Sequence, residues 1–345
     1  MNKKEASSNA TAVDTFKLFF SICIMALHTS LLKITSPFSE WMITSTVLRM
    51  GVPYFFICSG YFYWKKIING PKTKEWVSKC ARGYVLRNIN TFVFFSSAGL
   101  IVHTALEFHR NGLEGAVITI HNAIFYPLGA MWFVSACMIA VVIITILRSH
   151  KVLVTVLGIS GYIFALICNS YFFIVEGTAI GRFVDLYLQY FVSARKGFFI
   201  GILFIGMGAL IADGEYWLIK IKNKTLCLLF IMLFLFQLLE SKFLFERTIR
   251  DDGSLFLAMP LLAAIVFVIS LRVKMPFSMS RSIYLRRMSV YFYCLHPLLN
   301  ATIGTVIIIA TGNVILNFIV IFGGCVILWL LTQKSNNKYI RAILP

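Results

Sequence analysis

The sequence predicts an all-α protein, a polytopic transmembrane bundle of about ten helical spans with both termini in the cytoplasm. Three observations predict it. Of the 345 residues, 59% are hydrophobic and only 13% are charged, and the mean hydropathy is +0.83. Runs such as TLCLLFIMLFLFQLL and ATIGTVIIIATGNVILNFIVIFGGCVILWLL approach or exceed the roughly 20 apolar residues that cross a bilayer. The basic residues, finally, fall unevenly on the two sides that alternate spans define.

In chain order, a polar head over residues 1–12 precedes a first span at 14–33. That span carries Asp14 and Lys17 and lacks a small-residue cleavage site, so it is read as a retained helix and not a removable signal peptide. The second span, 42–64, begins LRMGVPYFFICSGYFYW. Its Arg49, Pro53 and the small pair Ser59-Gly60 predict a broken helix and close packing. The third, 84–106, follows the basic loop KKIINGPKTKEWVSKCARGYVLRN, with Arg82 and Arg87 where the helix is expected to begin. The fourth, 130–147, opens on GAMWFVSA, and the fifth is 152–173. The sixth and seventh, 197–212 and 225–240, are short. Spans eight to ten are 254–272, 288–310 and 313–332, followed by a cytoplasmic tail at 333–345. The whole of 1–345 is expected to form one integral membrane domain.

Twenty-two of the 32 Lys and Arg residues lie on the side shared by the two termini, eight lie in the opposite loops, and Lys17 and Arg49 lie within spans. The positive-inside rule then places both termini in the cytoplasm. The net charge of +18 is accordingly a topology signal with attraction to anionic membrane lipid. Because the bases are divided among separate loops, no nucleic-acid footprint is expected. The eight cysteines show no paired spacing and are read as reduced core residues. No metal site is expected, since His103, His109 and His121 lack a helical ligand spacing. Neither a GxSxG elbow, a P-loop, HExxH nor CxxC occurs.

The chemistry concentrates in VDTFKLFFSICIMALHTS. Lys17 and His28 are eleven residues apart, about three turns plus 20°, which puts both on one helix face with Cα atoms about 16 Å apart along the axis. Asp14 lies one turn before Lys17, where it can pair with it. A lone histidine in a helix is usually a satisfied structural group. Three ionisable groups on one face of a membrane helix instead point to a polar cavity, and an imidazole is the usual general base near neutral pH. Arg82 and Arg87 can fork onto phosphate oxygens of an anionic ligand arriving from the cytoplasm. Trp132 reads equally as an interfacial belt residue. Tyr293 and His296, at i,i+3 in RRMSVYFYCLHPLLN with Ser289 a turn earlier, read equally as helix-bundle glue. The outer loops 107–129, 174–196 and 241–253 are long enough to receive a polar substrate.

Six segments in order resemble the acyltransferase-3 family of polytopic membrane acyltransferases: VDTFKLFFSICIMALH, VPYFFICSGYF, KCARGYVLRNI, AMWFVSA, GFFIGILFIGMGALIAD and SVYFYCLHPL. The resemblance covers nearly the whole chain. It implies a bacterial cytoplasmic-membrane O-acyltransferase. Such an enzyme moves an acyl group, often acetyl, from cytoplasmic acyl-CoA (a donor substrate, not a bound cofactor) to a hydroxyl of a cell-envelope glycan or lipid. By the same resemblance His28 is the catalytic histidine and Lys17 its basic partner, beside Asp14. Arg82 and Arg87 contact the CoA phosphates, and Trp132, Tyr293 and His296 line the substrate site. The family more typically has arginine at the position of Lys17 and often histidine at that of Ala130. The chain is also similar to the membrane half of vancomycin-resistance serine racemases, a domain associated with amino-acid uptake. The alternative expectation is therefore a transporter of a small solute such as serine, or an exporter of a glycan intermediate. The sequence ends at Pro345 without a racemase domain, and a stand-alone enzyme is expected.

Overall fold

The structure is a computed structural model. It describes residues 3–334 except 126, 128, 192, 196, 248, 249, 251, 252 and 277, with backbone alone for 3–10, 125 and 219. The expected tail, from 335 onward, lies outside the described residues, as do the first two residues of the expected head.

Among the described residues fourteen helical segments follow one another. They are α1 (Lys3–His28), α2 (Pro37–Thr46), α3 (Gly51–Ile68), α4 (Lys74–Phe125), α5 (Met131–Ile146), α6 (Lys151–Ile167) and α7 (Ala179–Phe191). Then come α8 (Phe198–Asp213), α9 (Glu215–Lys220), α10 (Asn223–Leu244), α11 (Met259–Arg272), α12 (Met279–Leu299), α13 (Thr305–Thr311) and α14 (Val314–Lys334). No strand occurs among the described residues. Each apolar stretch read from the sequence carries a helix. Among the described residues, seven segments are long and apolar enough to cross a membrane, and α5, α6 and α11 are shorter apolar helices.

The expected break near Arg49 is a short 3-10 turn at Leu48–Met50 between α2 and α3. Pro53 falls in the first turn of α3, where its missing N–H leaves no helical bond unmade. The third span differs from expectation. Its helix starts at Lys74, not 84, and runs on to a break at Gly112, past which a second helical stretch, included in α4, reaches Phe125 through what was read as an outer loop. Glu107, His109, Arg110 and Glu114 made that stretch look like loop, yet a helix tolerates charge on any face that meets water. The only interruption is Gly112, at φ 65° and ψ −152°, a conformation open to glycine because it lacks Cβ. Arg82 and Arg87 consequently sit inside a helix and not at its start. The second outer loop also holds a helix, α7.

The chain divides into two compact units. The first comprises residues 1–40, 86–134 and 274–345. Its centre is α1 against α12 and α14, around Met25, Phe292, Ile321, Cys325 and Trp329. Edge-to-face pairs join Tyr284 to Trp329 at 5.4 Å and Phe292 to Phe322 at 5.7 Å. Residue numbers that rise on α12 while they fall on α14 make those two helices antiparallel.

The second unit comprises 41–85 and 135–273. Its axis is α8, which has no polar face until Asp213 and is buried along most of its length. α3 and α8 touch backbone to backbone. A Cβ on Gly60 would stand 2.2 Å from the Ile205 carbonyl oxygen, and one on Gly208 would stand 2.2 Å from that of Ile57. Small residues permit this approach between membrane helices, as Ser59-Gly60 led one to expect. At one end of this unit Asp213 accepts from Trp64 Nε1 (2.8 Å) and Lys151 Nζ (2.6 Å), Lys65 pairs with Glu215, and Arg272 Nη1 donates to the Ile221 carbonyl (2.7 Å). At the other, Glu240 accepts from Tyr171 Oη (2.6 Å) and from the backbone N–H of Leu257 (2.5 Å) and Ala258 (3.1 Å). It thereby satisfies N–H groups that the start of α11 would leave without partners.

All eight cysteines are unpaired; seven are buried, and Cys227 is exposed.

Candidate functional site

Every site residue read from the sequence except Arg82 lies in the first unit. Two helices carry the core of it. Ser282 and Arg286 of α12 meet Asp14 of α1, while His296 of α12 and Asn300, just past its end, meet His28. The same offsets of 268 and 272 residues separate the partners at the two ends, as hydrogen bonds at Asp14 and as a ring contact and a hydrogen bond at His28. α1 and α12 are therefore parallel and in constant register, and the fourteen residues between Asp14 and His28 put the two clusters about 21 Å apart.

The first cluster is a clasped carboxylate. Asp14, 1% exposed, accepts from Ser282 Oγ at 2.6 Å, Arg286 Nε at 3.0 Å and Arg286 Nη2 at 2.9 Å. Lys17 Nζ lies 3.7 Å away, so the expected i,i+3 pair exists, but as the weaker contact. Two cations share one carboxylate, so the cluster carries a net positive charge, and the Arg286 side chain is 43% exposed. Sequence reasoning missed Arg286 and Ser282, counting the arginine only as topology. A signal was present: Asp14 to His28 and Ser282 to His296 are both fourteen-residue intervals.

The second cluster is a histidine pair. The His28 and His296 rings stand edge to face with centroids 5.2 Å apart. His28 is exposed, whereas His296 is fully buried. His296 Nδ1 lies 2.8 Å from the Phe292 carbonyl oxygen. A carbonyl can only accept, so Nδ1 carries the proton and Nε2 of the neutral ring presents a lone pair. That Nε2 is buried without a hydrogen-bond partner among the described residues. A buried acceptor left unmet is costly, and a ligand donor would relieve it.

Local chain features hold this pair. α1 stops after His28 because Ser30 adopts a left-handed conformation (φ 56°). Asn300 Nδ2 donates to the His28 carbonyl at 3.0 Å, and Asn317 Nδ2 donates to Asn300 Oδ1 at 3.1 Å. Pro297 removes one helical N–H, and the chain widens into a π-helical turn at Asn300–Gly304. Gly129, at φ 64°, lies over the Pro297 ring. Tyr293 is buried, with its ring 6.2 Å from His296 and 5.4 Å from Phe133. Trp132 is buried as well, unlike an interfacial belt tryptophan. Arg82 and Arg87 are both exposed on α4. Five residues apart, they point about 140° from each other around the helix.

A family model described as an acyltransferase domain matches residues 11–333. The chain belongs to this acyltransferase family. The match takes in both compact units and every site residue named above. Among curated proteins, an amino-acid racemase of Enterococcus faecalis is 25% identical over 323 residues, covering 90% of this chain and 44% of that protein. A serine/alanine racemase of Enterococcus gallinarum is 23% identical over 293 residues, 83% of this chain and 40% of that protein. The chain thus spans less than half the length of these relatives. No solved structure matches it. Family membership and the apolar helices together make this an integral membrane protein of acyltransferase type.

Proposed function

We propose that this acyltransferase-family protein moves an acyl group, acetyl by preference, from acyl-CoA to a hydroxyl of a cell-envelope glycan or lipid. It would lie in the bacterial plasma membrane with ten spans and both termini inside. The observation that carries the reading is the histidine pair, an exposed imidazole beside a buried one whose Nε2 awaits a donor. In the proposed reaction His28 takes the proton of the acceptor hydroxyl as its oxygen bonds to the thioester carbonyl carbon. Collapse of the tetrahedral intermediate breaks the C–S bond, and the CoA thiolate leaves with the proton that His28 returns. The His296 Nε2 lone pair accepts a hydrogen bond from a bound substrate or from the His28 ring and so fixes their approach.

The Asp14–Lys17–Arg286 cluster supports a phosphate site for the donor. Lys17 lies about 16 Å below His28 along α1, and a pantetheine arm has the reach of about five extended peptide residues, roughly 17 Å. Arg87, in the same unit, is a further candidate contact; Arg82, on the second unit's stretch of α4, is kept as a separate one. Trp132 and Tyr293 would wall the acceptor side.

Labelled acetyl-CoA supplied to purified protein in liposomes with envelope extract tests the proposal. Label should move to an acceptor with wild type and not with His28→Ala. Equal transfer by the two proteins would sink it.

The racemase names of the curated relatives favour one second reading, uptake of serine or alanine through the same polar helix pair. Labelled serine accumulating in the same liposomes, indifferent to acetyl-CoA, would select it.

A further inference from the structure

A groove of about 430 Å³ opens on the second unit between α5, α6, α8 and α11, well away in character from the polar histidine pair. Its volume falls in the usual range of ligand sites, about 300–1,000 Å³. Its walls are aliphatic, Ile144, Val154, Ile159 and Leu203 among them, and Gly206 forms part of the floor. Polar side chains gather at one end, where Trp64, Arg148, Lys151 and Asp213 line it.

Length and charge identify an occupant. Along α6 the lining runs from Lys151 to Leu166, and along α8 from Asp213 to Ile202, about 22 Å and 16 Å respectively. Half of a roughly 30 Å hydrocarbon core is about 15 Å, so the groove is one leaflet deep. At its polar end Asp213 is already engaged by Lys151 and Trp64. Arg148 makes no ion pair among the described residues. The end therefore keeps an uncompensated guanidinium at headgroup depth, on the side that is cytoplasmic in the orientation proposed above. An arginine in that place is matched to a phosphodiester.

We infer that this groove is a binding site for an anionic phospholipid of the inner leaflet, one acyl chain lying along α6 and α8 and the phosphate on Arg148. The site is independent of the histidine pair and does not rest on the acyltransferase reaction. It would make the second unit sensitive to the anionic lipid content of the membrane.

Full-length protein purified in a neutral detergent, given phosphatidylglycerol or phosphatidylcholine with identical chains, is examined by native mass spectrometry. Wild type should retain phosphatidylglycerol about fivefold better, the factor expected of one basic side chain at an anionic surface. Arg148→Gln should bring the ratio to about one, and Arg148→Lys should keep most of it. A Cβ on Gly206 would meet Val154 Cγ1 at 3.5 Å and Ile144 Cδ1 at 3.9 Å, ordinary contacts. Gly206→Leu should therefore fold and fill the groove, lowering retention of both lipids. Phosphatidylglycerol held equally by wild type and both Arg148→Gln and Gly206→Leu would overturn the inference. So would a lipid-free dimer that Gly206→Leu dissociates, which would assign the groove to a second copy of the chain.

Discussion

Replacing Arg286 by glutamine probes the contact that ties α12 to α1. The substitution removes three hydrogen bonds to Asp14, two from Nε and one from Nη2, and leaves a carboxylate that is 1% exposed. Breaking a fully buried ion pair by deleting one partner costs about 3–5 kcal/mol, whereas an exposed pair is worth about 0–1 kcal/mol. Here the arginine is 43% exposed, Lys17 remains 3.7 Å from the carboxylate, and Ser282 keeps its hydrogen bond. These place the expected loss between the limits, at about 2 kcal/mol. Equilibrium unfolding in mixed micelles, followed by circular dichroism, measures it. Asp14→Asn and Lys17→Gln combined with Arg286→Gln remove all three charges and should recover most of the loss, because no uncompensated ion stays buried. Single and triple variants of equal stability, or a single variant indistinguishable from wild type, would refute the clasp.

The remaining predictions follow the same geometry. Gly208→Ala should destabilise the second unit by about 1–3 kcal/mol or prevent assembly, since its Cβ would lie 2.2 Å from a backbone oxygen of α3. Gly83→Ala, with nothing within 4 Å, should be neutral or stabilising by about 0.5–1 kcal/mol, and thermal stability in detergent compares the two. His296→Asn keeps an N–H for the Phe292 carbonyl but deletes the Nε2 lone pair; the protein should accumulate at the wild-type level while acyl transfer falls at least about tenfold. Unchanged turnover would remove His296 from the site. Glu240→Gln leaves one oxygen to serve three donors and should cost about 1–3 kcal/mol, visible as earlier exchange of the Leu257 and Ala258 amides.

Helix existence was legible because apolar length is a one-dimensional property: each apolar stretch became a helix, and Ser59-Gly60 foretold the tight crossing with α8. Boundaries failed where charge was taken for loop, as at Glu107 to Arg110, which are helical up to the break at Gly112. At the candidate site, the stripe of Asp14, Lys17 and His28 needed only helical periodicity to be seen. Its partners did not follow from periodicity. Arg286 and Ser282 bond to Asp14 across more than 260 residues of sequence, and that pairing depends on which helices pack and in which direction. Spacing likewise set Tyr293 and His296 on one segment, but the tautomer of His296 and its unmet Nε2 are properties of the packed ring.

Parallel pairing of α1 with α12 also orders biosynthesis. The carboxylate enters the bilayer with the first helix, and its arginine emerges 272 residues later, about 14–54 s at ordinary rates of elongation. During that interval Lys17, on the same helix, is the cation already at hand, so nascent chains released before α12 should be the form that membrane proteases recognise.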